Sequence, residues 1–256
     1  MTGTDGLILQ ERDRRLMTAL ETMRIVDRDQ VMSVAGFRSI TRANTRLLKL
    51  KNAGLLRRLF VGSQGGNRKA LYTLSPKGAA LVGVRLWHLH RRQADRLVVD
   101  PFIEHQLMVN ALRILICFSP LPAGMTCHGW QIFREPIAAA LPIAPDGYFE
   151  IEYDTSIHPI FLEVDRGTEG QRIWKNKTES YLRLAASGEF AKRFGQQRFR
   201  VLVAVNSERR LLSILKTVGR LTDKIFWFTT FSDINNEGFW SRLWLRPKQD
   251  QKLSLF

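Results

Sequence analysis

Residues 145–181 read PDGYFEIEYDTSIHPIFLEVDRGTEGQRIWKNKTESY, an acid-rich stretch inside a basic chain. Within IFLEVD, strand alternation puts Phe161, Glu163 and Asp165 on one face and Ile160, Leu162 and Val164 on the other. Two carboxylates therefore project together from a strand that otherwise reads as buried. Buried carboxylates repel each other and are costly to desolvate unless a cation joins them. Asp146 ends the Pro-Asp-Gly turn and starts the neighbouring strand, so Asp146, Glu163 and Asp165 make a set of hard oxygen donors suited to Mg²⁺ or Mn²⁺. In the next helix Lys177 lies one turn from Ile173 and one from Tyr181, on a stripe that continues to Leu184. A lysine there is either a catalytic group or a side chain snorkelling at the edge of the core. Lys175 points elsewhere and reads as solvated. Glu150 and Glu152 share the parity of Asp146; Glu152 reads as solvated, and Glu150 stays open.

Outward from this stretch the pattern is a mixture of helix and strand. The expected order is helix 101–117, strands 130–135, 147–153 and 159–165, helix 169–186, strand 200–205, helix 208–221 and strand 224–230. A meander followed by a crossover fits this order better than a regular βαβ series. The helix after Asp100-Pro101 has a good cap and a proline at its first position. It is apolar on adjacent stripes, and Glu104 and His105 sit near one end, either as satisfied polar groups of a capped helix terminus or as further site candidates.

Residues 1–95 carry a different pattern. A helix from Gln10 to Thr22 places Leu16, Ala19, Leu20 and Met23 on one stripe. Asp27 can cap a short helix, 29–34, that stops at Ala35-Gly36. A third helix opens at the N-cap residue Ser39 and runs to Gly54, with Ile40, Ala43, Leu47 and Leu50 inward. Its other face presents Arg42, Asn44, Thr45, Arg46 and Lys49, side chains that reach phosphates and base edges. Two alternating stretches, LLRRLFVG and ALYTLS, follow, joined by SQGGNRK. Gly65-Gly66-Asn67 suits a hairpin turn, with Arg68 and Lys69 at its tip. Three helices and a hairpin are the order of a winged helix-turn-helix, a double-stranded DNA-binding module. The alternative is a small helical domain that binds protein.

Composition bounds the rest. The 256 residues suffice for two modules, and 45% hydrophobic with 25% charged content excludes a disordered or fibrous chain. No apolar run is long enough to span a bilayer, and the opening MTGTDGLILQERDRRL lacks the pattern of a secretory signal. A cytoplasmic protein is expected. Cys117 and Cys127 form no metal-ligand pattern and read as buried thiols. The net charge is +15, and residues 1–100 hold 19 Lys and Arg against 8 Asp and Glu. The basic excess is concentrated in the first module, which favours nucleic acid as partner.

Pro145-Asp146, Glu163-Val164-Asp165, Lys177 and Tyr181 together resemble the PD-(D/E)xK nuclease signature. FLEVDRGTE followed by a Lys-xxx-Tyr helix, behind a winged helix, resembles the replication-relaxation family and the MobC-type plasmid relaxases. The resemblance runs from about Glu11 to Thr230. It implies an α/β (α+β) protein: a winged helix-turn-helix at 1–95, then a restriction-endonuclease-like αβββαβ domain at 96–245. It also implies metal-dependent DNA nicking in plasmid replication, mobilisation or conjugative transfer, with Asp146, Glu163 and Asp165 as ligands of Mg²⁺ or Mn²⁺ and double-stranded plasmid-origin DNA as partner. The signature's lysine, two residues after the glutamate, is replaced here by Asp165, so Lys177 of the next helix would substitute, and Lys177 or His105 would steady the developing charge. The alternative is a catalytically inactive, sequence-specific DNA-binding initiator or regulator.

Two further motifs bear on function. Trp87-His88-Leu89-His90 contains a His-hydrophobic-His pattern used by another relaxase class, but on a helix the two rings point roughly 200° apart and cannot share a metal. The 246–256 tail ends KQDQKLSLF and is similar to peptides that dock on the bacterial sliding clamp, with Leu253, Leu255 and Phe256 as anchors. A final strand packed on the core is the alternative.

Overall fold

A computed structural model describes residues 7–62, 68–86, 101–138 and 141–256. The chain is mixed α/β and divides into two compact units, Met1–Ser119 and Pro120–Phe256.

The first unit contains α1 (Glu11–Met23), β1 (Ile25–Asp27), α2 (Arg28–Ala35), α3 (Ile40–Asn52), β2 (Leu56–Gly62), β3 (Arg68–Leu74), α4 (Pro76–Val82) and α5 (Pro101–Cys117). Local chemistry sets the helix ends. Asp27 accepts a hydrogen bond from the Gln30 N–H at 2.8 Å, and the Ser39 hydroxyl accepts one from Arg42 N–H, each satisfying a donor that the first turn leaves open. Gly36, with φ +69°, ends α2 in the left-handed region. Leu16, Leu20, Met23, Val31, Val34, Leu47 and Leu50 close the core between the helices. Ile40, expected in that core, is half exposed because it occupies the first turn of α3. The strands form an antiparallel sheet in the order β1-β3-β2. β1 spans three buried residues and shows no alternation, so sequence periodicity could not find it.

Helix α5 corrects the expected boundary at residue 95, because it belongs to the first unit. Ile103 packs with Ile25 and Leu71, and Ile114 joins the main cluster. The buried Asn110 amide donates to the carbonyls of Met23 and Ile25 at 3.1 and 2.7 Å, and Gln30 Nε2 donates to the Leu107 carbonyl at 2.8 Å. Asn110 thus satisfies the last carbonyl of α1 and the first of β1, on either side of Arg24, which adopts φ +63°. The thiols of Cys117 and Cys127, expected to be buried, are half buried. The His88 and His90 pair, the expected linker at 91–100 and the turn at 63–67 lie outside the described residues.

The second unit contains β4 (Met125–Gln131), β5 (Gly147–Tyr153), β6 (Ser156–Asp165), α6 (Gln171–Ala186), α7 (Glu189–Phe194), β7 (Arg200–Val205), α8 (Glu208–Gly219), β8 (Phe226–Thr230) and α9 (Phe231–Glu237). The sheet order is β4-β5-β6-β7-β8, antiparallel through β6 and parallel from β6 to β8. A two-residue turn, Asp154-Thr155, joins β5 to β6 with both residues at positive φ, the conformation that matches the twist of a tight hairpin. Phe161 on β6 centres an aromatic core with Tyr148, Tyr181, Phe190, Phe194 and Phe199. α7, too short for a periodic signal, supplies Phe190 and Phe194 to that core.

The strand expected at 130–135 lies earlier. Gly129, at φ +67°, and a register shift between His128 and Gln131 end the regular pairing of β4. Trp130 then stacks on Phe149, ring centroids 5.7 Å apart. Its indole lies so close to Gly147 that a Cβ there would stand 2.3 Å from the ring.

The tail also departs from expectation. Leu253 exchanges backbone hydrogen bonds with Trp244 at 2.8 and 3.1 Å, Leu255 is buried, and the Phe256 ring packs on Tyr153, His158 and Trp240. Leu253, Leu255 and Phe256 are therefore partners of this unit's own core, not an open docking peptide.

Two substitutions test these contacts. Asn110→Leu strands two buried carbonyls and lowers stability by about 3 kcal/mol in thermal or denaturant unfolding. Gly147→Ala forces the Trp130 indole away and lowers stability by about 2 kcal/mol, and Trp130→Ala in the same chain recovers part of that loss.

Candidate functional site

The end of β6 concentrates the acids. Glu163 and Asp165 both face α6, as their shared parity requires, and both are buried. The chain entering β5 runs beside them: Asp146 N–H donates to the Leu162 carbonyl at 3.0 Å, and Asp146 Oδ2 accepts the Val164 N–H at 2.7 Å. These bonds hold the Asp146 carboxylate against the β6 backbone next to Glu163.

Glu163 is 2% exposed, and α6 answers it with two side chains one turn apart. Tyr181 OH donates to Oε1 at 2.6 Å, and Lys177 Nζ donates to Oε2 at 3.0 Å. Lys177 also donates to Glu169 Oε1 at 2.8 Å, and its ammonium lies 5.2 Å from the Trp174 ring centroid. The second Glu169 oxygen is buried and has no hydrogen-bond partner. Burial raises the pKa of Glu163 against the pull of Lys177, and the Asp146 charge adds to the rise. Burial alone would lower Lys177, but Glu163 and Glu169 hold it well above its ordinary value, so it stays an ammonium. Tyr181 is raised by burial and by the Glu163 charge and remains a neutral donor.

Asp165, expected beside Asp146 and Glu163 as a ligand, has other partners. Arg210 of α8 grips both of its oxygens, Nε to Oδ1 and Nη2 to Oδ2, each at 2.7 Å. Gly167 N–H donates to Oδ1 at 2.6 Å, and the Trp174 indole donates to Oδ2 at 2.8 Å. Burial pushes its pKa up, but Arg210, Trp174 and Gly167 outweigh that and leave it lowered. Asp165 therefore ties β6 to α6 and α8, with both of its oxygens engaged by donors. Arg210 also donates to the Glu169 carbonyl. Among the described residues no three His, Cys, Asp or Glu side chains form a ready metal cluster.

Glu104 and His105 lie on α5, in the other unit from the acids. Glu152 pairs with His128 at 2.7 Å on the sheet surface, and Glu150 accepts the Tyr148 hydroxyl. Sequence reasoning missed Glu169, Trp174 and Arg210. Glu169 stands just ahead of the Gly170 N-cap of α6, outside the helical period that relates Lys177 to Tyr181. Arg210 is 45 residues from Asp165, and only the parallel packing of β6 and β7 brings α8 back to it.

In the first unit, Arg42, Asn44, Thr45 and Lys49 are exposed on α3. Arg46, expected with them, is instead held by the buried Asp13, Nε to Oδ1 at 2.9 Å, and donates to the Ile8 carbonyl at 2.7 Å. Lys69 pairs with Asp27 at 2.7 Å, and the Arg68 side chain lies outside the described residues.

The two units thus define a mixed α/β protein with an exposed basic helix in one and a buried carboxylate–lysine–tyrosine cluster in the other. The family model described as replication-relaxation matches residues 17–197, more than half the chain, and the chain belongs to that family. No curated protein and no solved structure matches it. No helix among the described residues is long and apolar enough to cross a membrane.

Asp165→Asn weakens the grip of Arg210 and costs about 3 kcal/mol at neutral pH. Because the folded-state pKa of Asp165 lies below its unfolded value near 3.9, wild-type stability from this group is complete above about pH 5. It is lost as pH falls through the lowered folded value. The variant's unfolding free energy lacks that acid-side component, which denaturant titrations at pH 3 to 7 measure.

Proposed function

We propose that this protein is a metal-dependent DNA-nicking enzyme of the PD-(D/E)xK type, acting in plasmid replication, mobilisation or transfer. The observation that carries the reading is Asp146 beside Glu163 across adjacent strands, with Lys177 from the following helix on the Glu163 carboxylate. Lys177 thereby supplies the cation that the usual signature takes from the position of Asp165. The replication-relaxation family supports the setting.

The donor set fits one hard divalent cation. Asp146 and Glu163 are neighbouring carboxylates whose charges oppose each other, and the Glu169 oxygen is buried with no partner, a group that a cation would satisfy. Asp146 and Glu163 would hold Mg²⁺ or Mn²⁺. When bound, such an ion polarises a phosphate and lowers the pKa of a coordinated water. Lys177, kept as an ammonium, donates to developing negative charge on a phosphate oxygen and does not serve as a base. Tyr181 fixes Glu163 by donating to Oε1, and the Asp165–Arg210 lock holds α6 and α8 against β6. The first unit would act as a winged helix, with Arg42, Asn44, Thr45 and Lys49 of α3 toward double-stranded DNA.

A second reading rests on the same ion pair. Lys177 already neutralises Glu163, so the cluster is stable as it stands, and the protein would then be a DNA-binding initiator or regulator.

Supercoiled plasmid carrying the protein's own flanking DNA separates the two. Nicking that needs Mg²⁺ or Mn²⁺, and that falls by about a hundredfold or more in Asp146→Asn and Glu163→Gln while DNA binding persists, supports the enzyme. Binding without metal-dependent nicking supports the regulator. Arg42→Ala with Lys49→Ala weakens DNA binding and lowers the slope of log affinity against log salt by about 2.

A further inference from the structure

At the opposite end of β6 from the acids, a cavity of about 700 Å³ opens between the starts of β6, β7 and β8. It is lined by His158, Arg198, Phe199, Arg200, Trp227 and Arg246 among others, and no carboxylate lines it. His158 and Glu163 are five residues apart on one strand, so the two sites are separated by about 16 Å.

The cations here are gathered without counter-charge. Arg200 and Arg246 both lie against the Trp227 ring, at 5.4 and 5.2 Å from its centroid, and Arg200 also lies 5.0 Å from the Phe256 centroid. Arg200 donates to the Leu255 carbonyl and Arg246 to the Asp223 carbonyl, neutral acceptors that leave both charges uncompensated. Arg246 Nε is buried with no partner. No ion pair engages Arg198, Arg200 or Arg246 among the described residues, whereas Lys177, Arg210, Arg46 and Lys252 each meet an acid. Burial and the Arg246 charge lower the pKa of Arg200, and burial and the Arg200 charge lower that of His158, so the imidazole is neutral near pH 7.

Two partly buried like charges beside a void raise the free energy of the empty state, and ring contacts return only part of it. An anion in the cavity would relieve the repulsion and satisfy Arg246 Nε. Guanidinium forks match the oxygens of a phosphate, and the volume lies in the range of small-molecule sites.

We infer that this cavity is a second site, which binds a phosphate-bearing ligand of nucleotide size, its phosphate held by Arg246 and Arg198 and its body against Trp227 and Phe199. Arg200 carries charge to the site while anchoring the C-terminal residues. The ligand is either a free nucleoside monophosphate or the 5′-phosphate end of a nucleic-acid strand. The site is independent of the nicking reaction and uses none of its residues.

Calorimetric titration of the full chain tests this with thymidine 5′-monophosphate, thymidine, and a thymidine tetranucleotide with or without a 5′-phosphate. The expected result is saturable binding of at least one phosphorylated probe, and weaker or no binding of its unphosphorylated counterpart. Tetranucleotide binding assigns a strand end, and binding of the monophosphate alone assigns a free nucleotide. Arg246→Gln weakens binding by about tenfold at unchanged thermal stability, while Arg220→Gln, on the exposed end of α8, leaves it intact. Should Arg246→Gln lower the melting temperature, Arg198→Gln, an exposed side chain, carries the same comparison. The inference is overturned if neither phosphorylated probe binds saturably at millimolar concentration, or if both variants bind as tightly as wild type.

Discussion

The second unit is arranged around one buried carboxylate. Glu163 sits in the middle of a sheet whose neighbouring positions are Phe161, Leu162 and Val164, where an ionised group is stable only with partners in place. Those partners come from one face of α6: Lys177 and Tyr181, one turn apart. The helix can present them only if it lies flat on β6, and Trp174 donating to Asp165 together with Arg210 reaching from α8 fixes it there. Fold and site therefore share one constraint. The same contacts that let the strand carry acids also determine where the lysine stands.

This arrangement divides the acids by their partners. Asp165 is saturated by donors and has a lowered pKa, which suits a structural lock. Glu163 and Asp146 lie together with like charges, and Glu169 shares Lys177 with Glu163. A lysine supplied by the helix keeps a cation at the cluster although the strand position after Val164 is an aspartate.

Much of this arrangement is legible in the sequence. Strand parity put Glu163 and Asp165 on one face, and the Ile173–Lys177–Tyr181 stripe placed the lysine at the edge of the core, although Ile173 itself is largely exposed. Asp27 and Ser39 marked helix starts that the structure uses. What sequence alone did not carry was partnership across long separations. Asp165 finds Arg210, Arg46 finds Asp13, and α5 returns through Asn110 to the end of α1, all through packing that has no local signature. Short elements failed for a related reason: β1 and α7 are stabilised by tertiary contacts and lack a period of their own. The tail misled because its leucines and phenylalanine read alike as a docking peptide and as a final bridge to Trp244.

In the proposed enzyme, Asp146 and Glu163 share a divalent cation. Titration of the full chain with Mn²⁺, followed by electron paramagnetic resonance of the free ion, measures this without reference to DNA or catalysis. The expected result is saturable uptake by the wild type and its loss in both Asp146→Asn and Glu163→Gln, with folding of each variant verified by circular dichroism. Absence of uptake by the wild type, or uptake undiminished in the folded variants, would contradict it.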